Sequence, residues 1–458
     1  MTRGADVSGA FDGRHPPDRA LIDTCVHCGF CLPSCPTYML WGEEMDSPRG
    51  RIYLMNAGLD GRAAMTAPFV RHFDACLGCM ACVTACPSGV QYAPLIEATR
   101  AQIERRHQRT VGDRLFRAAI FAVLPYPARA RLALMPLALL PSRPPATESA
   151  GARALKATDI RGDDSRSAGA FALQKPGLFT RIRAALSLAP PVTWRSLFAR
   201  VPERTPARGD KRMTVGLLTG CVQRLVFPQT NAASVEVLAA EGCDVVAPAG
   251  QGCCGALALH AGRVDEARAF ARRTIEIFER AGVDAVAVNA AGCGSSMKEY
   301  GQLLADDPAW AERARAFSMR VRDVTELVDE LGEPRATRHP LALRVAYHDA
   351  CHLAHAQGIR RQPRDLLRAI PGVELVPFPE QDVCCGSAGI YNLVEPDAAR
   401  ALGDRKLAHI DAAQPDVVAT ANPGCTLQIA AAARRHGRAL AIRHPIELVA
   451  ASIAARPR

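Results

Sequence analysis

Several features are missing from this sequence, and each absence removes a class of function. No run of 18 apolar residues occurs, so a membrane-spanning helix is not expected. The first 23 residues are polar and interrupted by Pro16 and Pro17, unlike the apolar centre of a secretory signal; a cytoplasmic, reducing setting is the expectation. The net charge is +10, yet the arginines are scattered and no stripe of interleaved aromatic and basic residues appears, so nucleic-acid binding is not expected. No G-x-G-x-x-G follows a strand-like run, which removes the dinucleotide fingerprint. Neither a Ser/His/Asp arrangement nor a carboxylate pair placed for acid–base work is legible.

Cysteine, by contrast, is plentiful: 17 in 458 residues. In a reducing compartment disulfides are rare, and metal binding is the better use of so many thiols. The length calls for two or three domains. Residues 1–110 carry eight cysteines in two tight runs. Residues 111–140 are apolar and dotted with arginine; they read as an interfacial helical segment serving weak peripheral membrane contact or a partner interface. Residues 141–212 lack cysteine and are rich in Pro, Ala, Ser, Gly and Arg, the composition of a flexible linker. The other nine cysteines fall in 213–458.

That last region repeats internally, as 213–335 and 336–458. Each copy opens with a strand-like run ending near a cysteine, Cys221 or Cys351. Each continues through a second strand to a Cys-Cys-Gly, at Cys253-Cys254-Gly255 and Cys384-Cys385-Gly386. A long helical stretch and a third strand then lead to Cys293 in one copy and Cys425 in the other. Both copies close on Glu-Leu-Val, at Glu326-Leu327-Val328 and Glu447-Leu448-Val449. Strands alternating with amphipathic helices argue for parallel α/β layering, whose ligands sit beyond the carboxyl ends of the strands. Cysteines matched at those ends read as ligands, since fold geometry alone does not demand them. Cys243, just before a predicted strand, is extra and reads as a buried core thiol. His348, His352 and His355 flank Cys351 at spacings that fit one helix face, either as ordinary polar residues of a turn or in support of a metal.

The two N-terminal runs are Cys25-Val26-His27-Cys28-Gly29-Phe30-Cys31-Leu32-Pro33-Ser34-Cys35-Pro36 and Cys76-Leu77-Gly78-Cys79-Met80-Ala81-Cys82-Val83-Thr84-Ala85-Cys86-Pro87. Their spacing is that of bacterial two-cluster ferredoxins, in which the fourth cysteine of each run serves the other cluster. Cys25, Cys28, Cys31 and Cys86 are therefore assigned to one 4Fe–4S cluster, and Cys76, Cys79, Cys82 and Cys35 to the other. Zinc also takes four thiolates, but a doubled run with trailing proline is far more specific to iron–sulfur. Gly29 and Gly78 are expected to let the backbone turn close to the cluster. The runs are 40 residues apart, and the intervening Ser47-Pro48-Arg49-Gly50-Arg51 resembles the signature of respiratory-enzyme subunits.

Two Cys-Cys-Gly repeats after such a region resemble the heterodisulfide-reductase-like superfamily, where five cysteines ending in C-x-x-C hold an iron–sulfur centre. Here the last position is Ser296 in one repeat and Gln428 in the other, so four family cysteines remain in each. The sets are Cys221, Cys253, Cys254, Cys293 and Cys351, Cys384, Cys385, Cys425; ligand count alone leaves open whether either holds metal. More narrowly, 348–360, 384–393, Asn422-Pro423-Gly424-Cys425 and the first cysteine run resemble the glycolate oxidase iron–sulfur subunit. The resemblance implies flavoprotein partner subunits that carry FAD and oxidise glycolate, a downstream acceptor such as a quinone, and a chain that relays electrons without catalysing alone. An iron–sulfur subunit of a lactate-oxidising or other quinone-linked complex, and a non-catalytic cluster-carrying assembly protein, are the alternatives. The fold class expected is α+β multidomain: a mostly helical two-cluster ferredoxin-type domain followed by two α/β repeats with parallel sheets.

Overall fold

The two C-terminal repeats build the same sheet twice. The computed structural model describes residues 9–139, 177–190 and 192–455. In repeat 1, β1 (Arg204–Thr205), β2 (Met213–Leu218), β3 (Cys243–Val246), β4 (Ala285–Val288) and β5 (Val321–Asp323) lie in the order β1-β3-β2-β4-β5. In repeat 2, β6 (Leu343–Tyr347), β7 (Val373–Leu375), β8 (Val417–Ala419) and β9 (Ala441–Arg443) lie in the order β7-β6-β8-β9. Without its antiparallel edge strand β1, the first sheet has the second's order, and every remaining pairing is parallel. In both, the chain leaves the first strand to one side and returns for the third on the other. Ligands collect at such a reversal, beyond the carboxyl ends of the strands.

Side chains alternate across these strands and divide the core. Val215 and Leu217 of β2 join Val345 and Tyr347 of β6 in one core shared by both repeats. Leu218, Val246, Val286 and Val288 point the other way, into a core private to repeat 1. The shared core is filled by a layer of four helices paired reciprocally. Pro228–Ala240 packs on Pro445–Ala454, and Val324–Glu330 packs on Arg361–Arg368, so the helix leading into β3 or β7 in each repeat meets the other repeat's last helix.

The N-terminal region is helical. Ser47 caps the helix Pro48–Leu59 by accepting from the Gly50 N–H at 3.0 Å, and Pro48 occupies the first turn, where its missing N–H costs nothing. Gly50 is required by contact: a Cβ there would lie 1.9 Å from the Glu44 carbonyl oxygen. Ile52 and Met55 of this helix pack with Phe69, Phe73, Leu95 and Ile96 from helices Ala67–Asp74 and Tyr92–Arg106.

Residues 111–138 form two helices, Val111–Val123 and Pro127–Ala138, bent by 104°. Among the described residues no single helix is long and apolar enough to cross a membrane. The inward side of this pair carries Ile120 and Phe121 and one buried carboxylate, Asp113, which is ion-paired to Arg109, Arg117 and Arg181. Arg181 lies in the segment expected to be a flexible linker, and that expectation needs correction after residue 176. Residues 178–188 and 194–198 are helical and Arg204–Thr205 is a strand, held by the Asp113 pair and by fully buried Leu197. Low apolar content hid this, because a buried ion pair anchors the segment as much as apolar contact does. The rest of the expected linker, 141–176, lies outside the described residues.

Candidate metal centres

The two cysteine runs adopt one backbone shape. The third and fifth residues of each have positive φ: His27 at 54° and Gly29 at 88°, Gly78 at 63° and Met80 at 61°. Two left-handed residues flanking the second cysteine curl the loop so that its thiols face inward. Gly29 and Gly78 were expected in this role; His27 and Met80 take the same conformation without being glycine. At Gly29 a Cβ would also lie 2.8 Å from Arg49 Nη1.

The fourth cysteine of each run comes near the opposite run, although Cys35 also neighbours Cys31 of its own. Cys25 feels the charge of Cys86 ahead of that of Cys28, and burial raises its pKa. Cys82 is raised by burial and by Cys79, Cys76, Cys35 and Cys31. Cys28 is exposed, whereas Cys35, Cys76 and Cys79 are buried.

Cations border the buried set. Arg51, 1 % exposed, donates to the His72 carbonyl at 2.6 Å and to Thr37 Oγ1 at 3.1 Å, pairs with Asp46 at 3.3 Å, and reaches Cys35 Sγ at 4.0 Å. Burial opposes its charge, but Cys76, Tyr92, Cys35 and Asp46 more than offset this and hold the guanidinium above its usual range. Burial likewise raises Cys76, and Arg51, Arg100 and the Gly78 N–H bring it below a normal thiol. Arg49 ties the first loop by donating to the His27 carbonyl at 3.1 Å while chelating Glu44 at 2.6 and 3.1 Å. The Ser-Pro-Arg-Gly-Arg signature is thus a helix start, a close approach and two arginines, one for each loop. A converging set of thiols beside buried positive charge fits a thiolate-bound cluster, whose net charge is negative.

The repeat cysteines gather as expected for the ends of parallel strands. Cys221 follows β2 and Cys293 follows β4; Cys351 and Cys425 follow β6 and β8. In repeat 1, Cys221, Cys253, Cys254 and Cys293 neighbour one another in that order, and contact with Cys253 together with burial raises Cys221. In repeat 2, Cys351 Sγ lies 4.0 Å from Cys384 Sγ, and Cys385 sits between Cys384 and Cys425. Gly255 and Gly386 of the two Cys-Cys-Gly motifs have φ of 90° and 91°, and a Cβ there would press on the helix behind, at Ala267 and Ala399. Cys243 is the first residue of β3, fully buried, its pKa pushed up to about 11 by burial, and apart from these sets.

The three histidines do not share a helix face. His348 lies in the turn after β6, while His352 and His355 belong to a π-helical turn, His352–Ala356. His352 Nε2 bonds to the Gly78 carbonyl at 2.9 Å, and its ring lies 4.8 Å from that of His260. His355 bonds to the Asp382 carbonyl, Arg360 and Thr84. His352 and Thr84 therefore join repeat 2 to the second cysteine run. Apolar packing does the same: Leu77, Cys79 and Ala81 share a buried cluster with Cys351, Cys384 and Tyr391. Burial and the nearby Cys351 raise Cys79 well above a normal thiol.

Comparison with known proteins agrees with this geometry. A family model described as a 4Fe-4S dicluster domain matches residues 21–90, and one described as a cysteine-rich domain matches 215–298 and 345–430. The N-terminal region is thus a carrier of two 4Fe–4S clusters. A probable glycolate oxidase iron–sulfur subunit of Bacillus subtilis (strain 168) is 36 % identical over 92 % of this chain and 91 % of its own length. The glycolate oxidase iron–sulfur subunit of Escherichia coli (strain K12) is 35 % identical over 94 % of each. Lactate utilization protein A of Geobacillus sp. (strain WCH70) is 29 % identical over 52 % of this chain and 99 % of its own length. Near-complete coverage by the first two, together with a dicluster region packed onto paired cysteine-rich repeats, places the chain in the family of glycolate oxidase iron–sulfur subunits.

Proposed function

We propose that this chain is the one-electron relay of an assembly that oxidises glycolate to glyoxylate on flavoprotein partners and passes the electrons to a downstream acceptor, a quinone being one candidate. In this reading Cys25, Cys28, Cys31 and Cys86 hold one cluster, and Cys76, Cys79, Cys82 and Cys35 hold the second. Cys351, Cys384, Cys385 and Cys425 hold a further centre, with Cys221, Cys253, Cys254 and Cys293 as the counterpart set in repeat 1. When bound, such clusters exchange electrons singly.

One observation carries the proposal: Cys79 of the second set lies in the same buried cluster as Cys351 and Cys384, so the second N-terminal set adjoins that of repeat 2. Arg51 and Arg100 offset negative charge at Cys76, and His352 fixes the second loop against repeat 2. Oxidising a 2-hydroxy acid removes two electrons and needs both a hydride acceptor and a base beside the carbon. A flavin on a partner subunit supplies the conversion between two-electron and one-electron steps.

The test is reconstitution. Dye-linked glycolate oxidation is expected only when flavoprotein partners are added to the chain, and ~8 irons per chain are expected from the dicluster region. Chains lacking clusters should still let a partner flavin be reduced by glycolate but slow its reoxidation. Turnover by the loaded, flavin-free chain, or zinc in place of iron in the dicluster region, would overturn the reading.

A further inference from the structure

Repeat 2 has a candidate ligand that repeat 1 lacks. A ring nitrogen of His348 and the sulfurs of Cys385 and Cys425 lie within 4.8 Å of one another, all three residues buried. His348 Nδ1 lies 3.0 Å from the Gln381 carbonyl oxygen. A carbonyl can only accept, so Nδ1 carries the proton and the lone pair of the neutral ring is on Nε2. Nε2 is buried and has no hydrogen-bond partner among the described residues. An imidazole whose far nitrogen donates to a backbone carbonyl is the arrangement that orients a metal-ligating histidine. The anchor is itself held: the Gln381 carbonyl also accepts from the Asp349 N–H at 3.1 Å, and Arg364 grips Asp349 at 2.8 and 2.6 Å.

We infer that His348 Nε2 is a metal ligand in repeat 2, forming with the neighbouring thiolates of Cys385 and Cys425 the nitrogen-bearing side of a centre for a thiophilic transition metal, iron or zinc. This rests on the reading above that repeat 2 holds metal. It also accounts for the cysteine that repeat 2 lacks. Gln428 stands at that position, but its amide is committed elsewhere, donating to the Ala399 carbonyl at 2.6 Å and meeting Asn392 at 3.4 Å. Repeat 1 has Leu218 where repeat 2 has His348, and Leu218 is part of the private core. Repeat 1 has instead the buried Ser296 Oγ, which has no hydrogen-bond partner among the described residues, at the position of its missing cysteine, so the two sets differ in kind: only repeat 2 offers nitrogen beside its sulfurs.

The experiment uses the full chain, purified anaerobically, stripped, and reloaded with zinc or with ferrous iron and sulfide. Iron and zinc are counted, and the nitrogen ligand is sought by X-ray absorption for zinc or by nitrogen hyperfine coupling for iron in ¹⁵N-histidine-labelled protein. The expected result is metal beyond the dicluster complement with a directly bound nitrogen, at about 2.0–2.1 Å for zinc. His348→Cys should keep that metal and lose the nitrogen signal; His348→Leu should bind it at least ~10-fold more weakly. Extra metal with no nitrogen ligand, or a nitrogen signal surviving in His348→Cys, overturns the inference and leaves the relay reading intact. No metal beyond the dicluster complement overturns the repeat-2 centre itself, and the inference with it. The wild-type spectrum decides the question even if a variant fails to fold.

Discussion

His352 reaches out of repeat 2 and donates through Nε2 to the carbonyl oxygen of Gly78, 2.9 Å away, between Cys76 and Cys79. No cysteine is involved, so His352→Ala should leave iron content unchanged. It strands a largely buried carbonyl, an effect of about 1–3 kcal/mol on the docking of the dicluster region. Denaturant unfolding should show that loss, and stopped-flow reduction should show slower electron arrival at repeat 2. Unchanged kinetics would remove His352 from the connection.

Cys86→Ser should damage the cluster attached to Cys25, Cys28 and Cys31 and spare the one attached to Cys76, Cys79 and Cys82. The basis is the mutual approach of Cys25 and Cys86 in the fold. Spectroscopy of the two reduced clusters checks it; loss of the other cluster would reverse the assignment.

Arg51→Met removes a buried cation from beside Cys35, Asp46 and Cys76. Stripping one partner from a buried ion pair destabilises by roughly 3–5 kcal/mol. The same change makes reduction of the second cluster harder, because the added electron loses its compensating charge. Redox titration should place that cluster at more negative potential, with the first cluster much less affected.

Asp323 and His444 occupy the same place in the two repeats, each capping the helix that carries Glu-Leu-Val, and they bring opposite pH dependence. Burial lowers the His444 pKa from 6.5 to about 3. Between those values the unfolded chain binds a proton that the folded one refuses. Its contribution is therefore intact above pH 6.5 and declines as pH falls toward 3. The full interval corresponds to at most roughly 3–5 kcal/mol. Burial raises Asp323 from 3.8 to about 6, so its contribution is full below pH 3.8 and is lost as pH rises through 6. His444→Asn keeps a capping side chain without the titration. It should flatten the acid limb of stability against pH, read from denaturation midpoints between pH 7 and pH 4; an unchanged limb would mean that His444 does not carry it.

Much of this was legible in the sequence. Cysteine spacing announced the 4Fe–4S dicluster region, and the paired Cys-Cys-Gly motifs announced two copies of one sheet, which β3-β2-β4-β5 and β7-β6-β8-β9 repeat in detail. What escaped depends on contacts between distant residues. Arg51 beside Cys35 follows from how a capped helix is set against a loop, and no local pattern reports it. His27 and Met80 adopt positive φ because their loops must close, against the preference of their residue types. Arg181 looked like part of a linker because its partner, Asp113, is 68 residues away. His348 was visible among three histidines, but only the fold separates the one facing cysteines from the two facing the dicluster region.

The unequal cover over the two N-terminal cysteine sets imposes an order on biogenesis. Cys28 is exposed and Cys25, Cys31 and Cys86 are half-buried, whereas Cys35, Cys76 and Cys79 are closed in, Cys79 by repeat 2 itself, and Cys82 alone of the second set is half-buried. On the finished fold a maturation factor delivering a preformed cluster meets four accessible thiols in the first set and only Cys82 in the second. Loading of the second site is therefore expected to be easier before the repeats dock over Cys79 than after. In reconstitution of the folded apo-chain, the first cluster should accordingly appear quickly and the second slowly, with the lag shortened in His352→Ala.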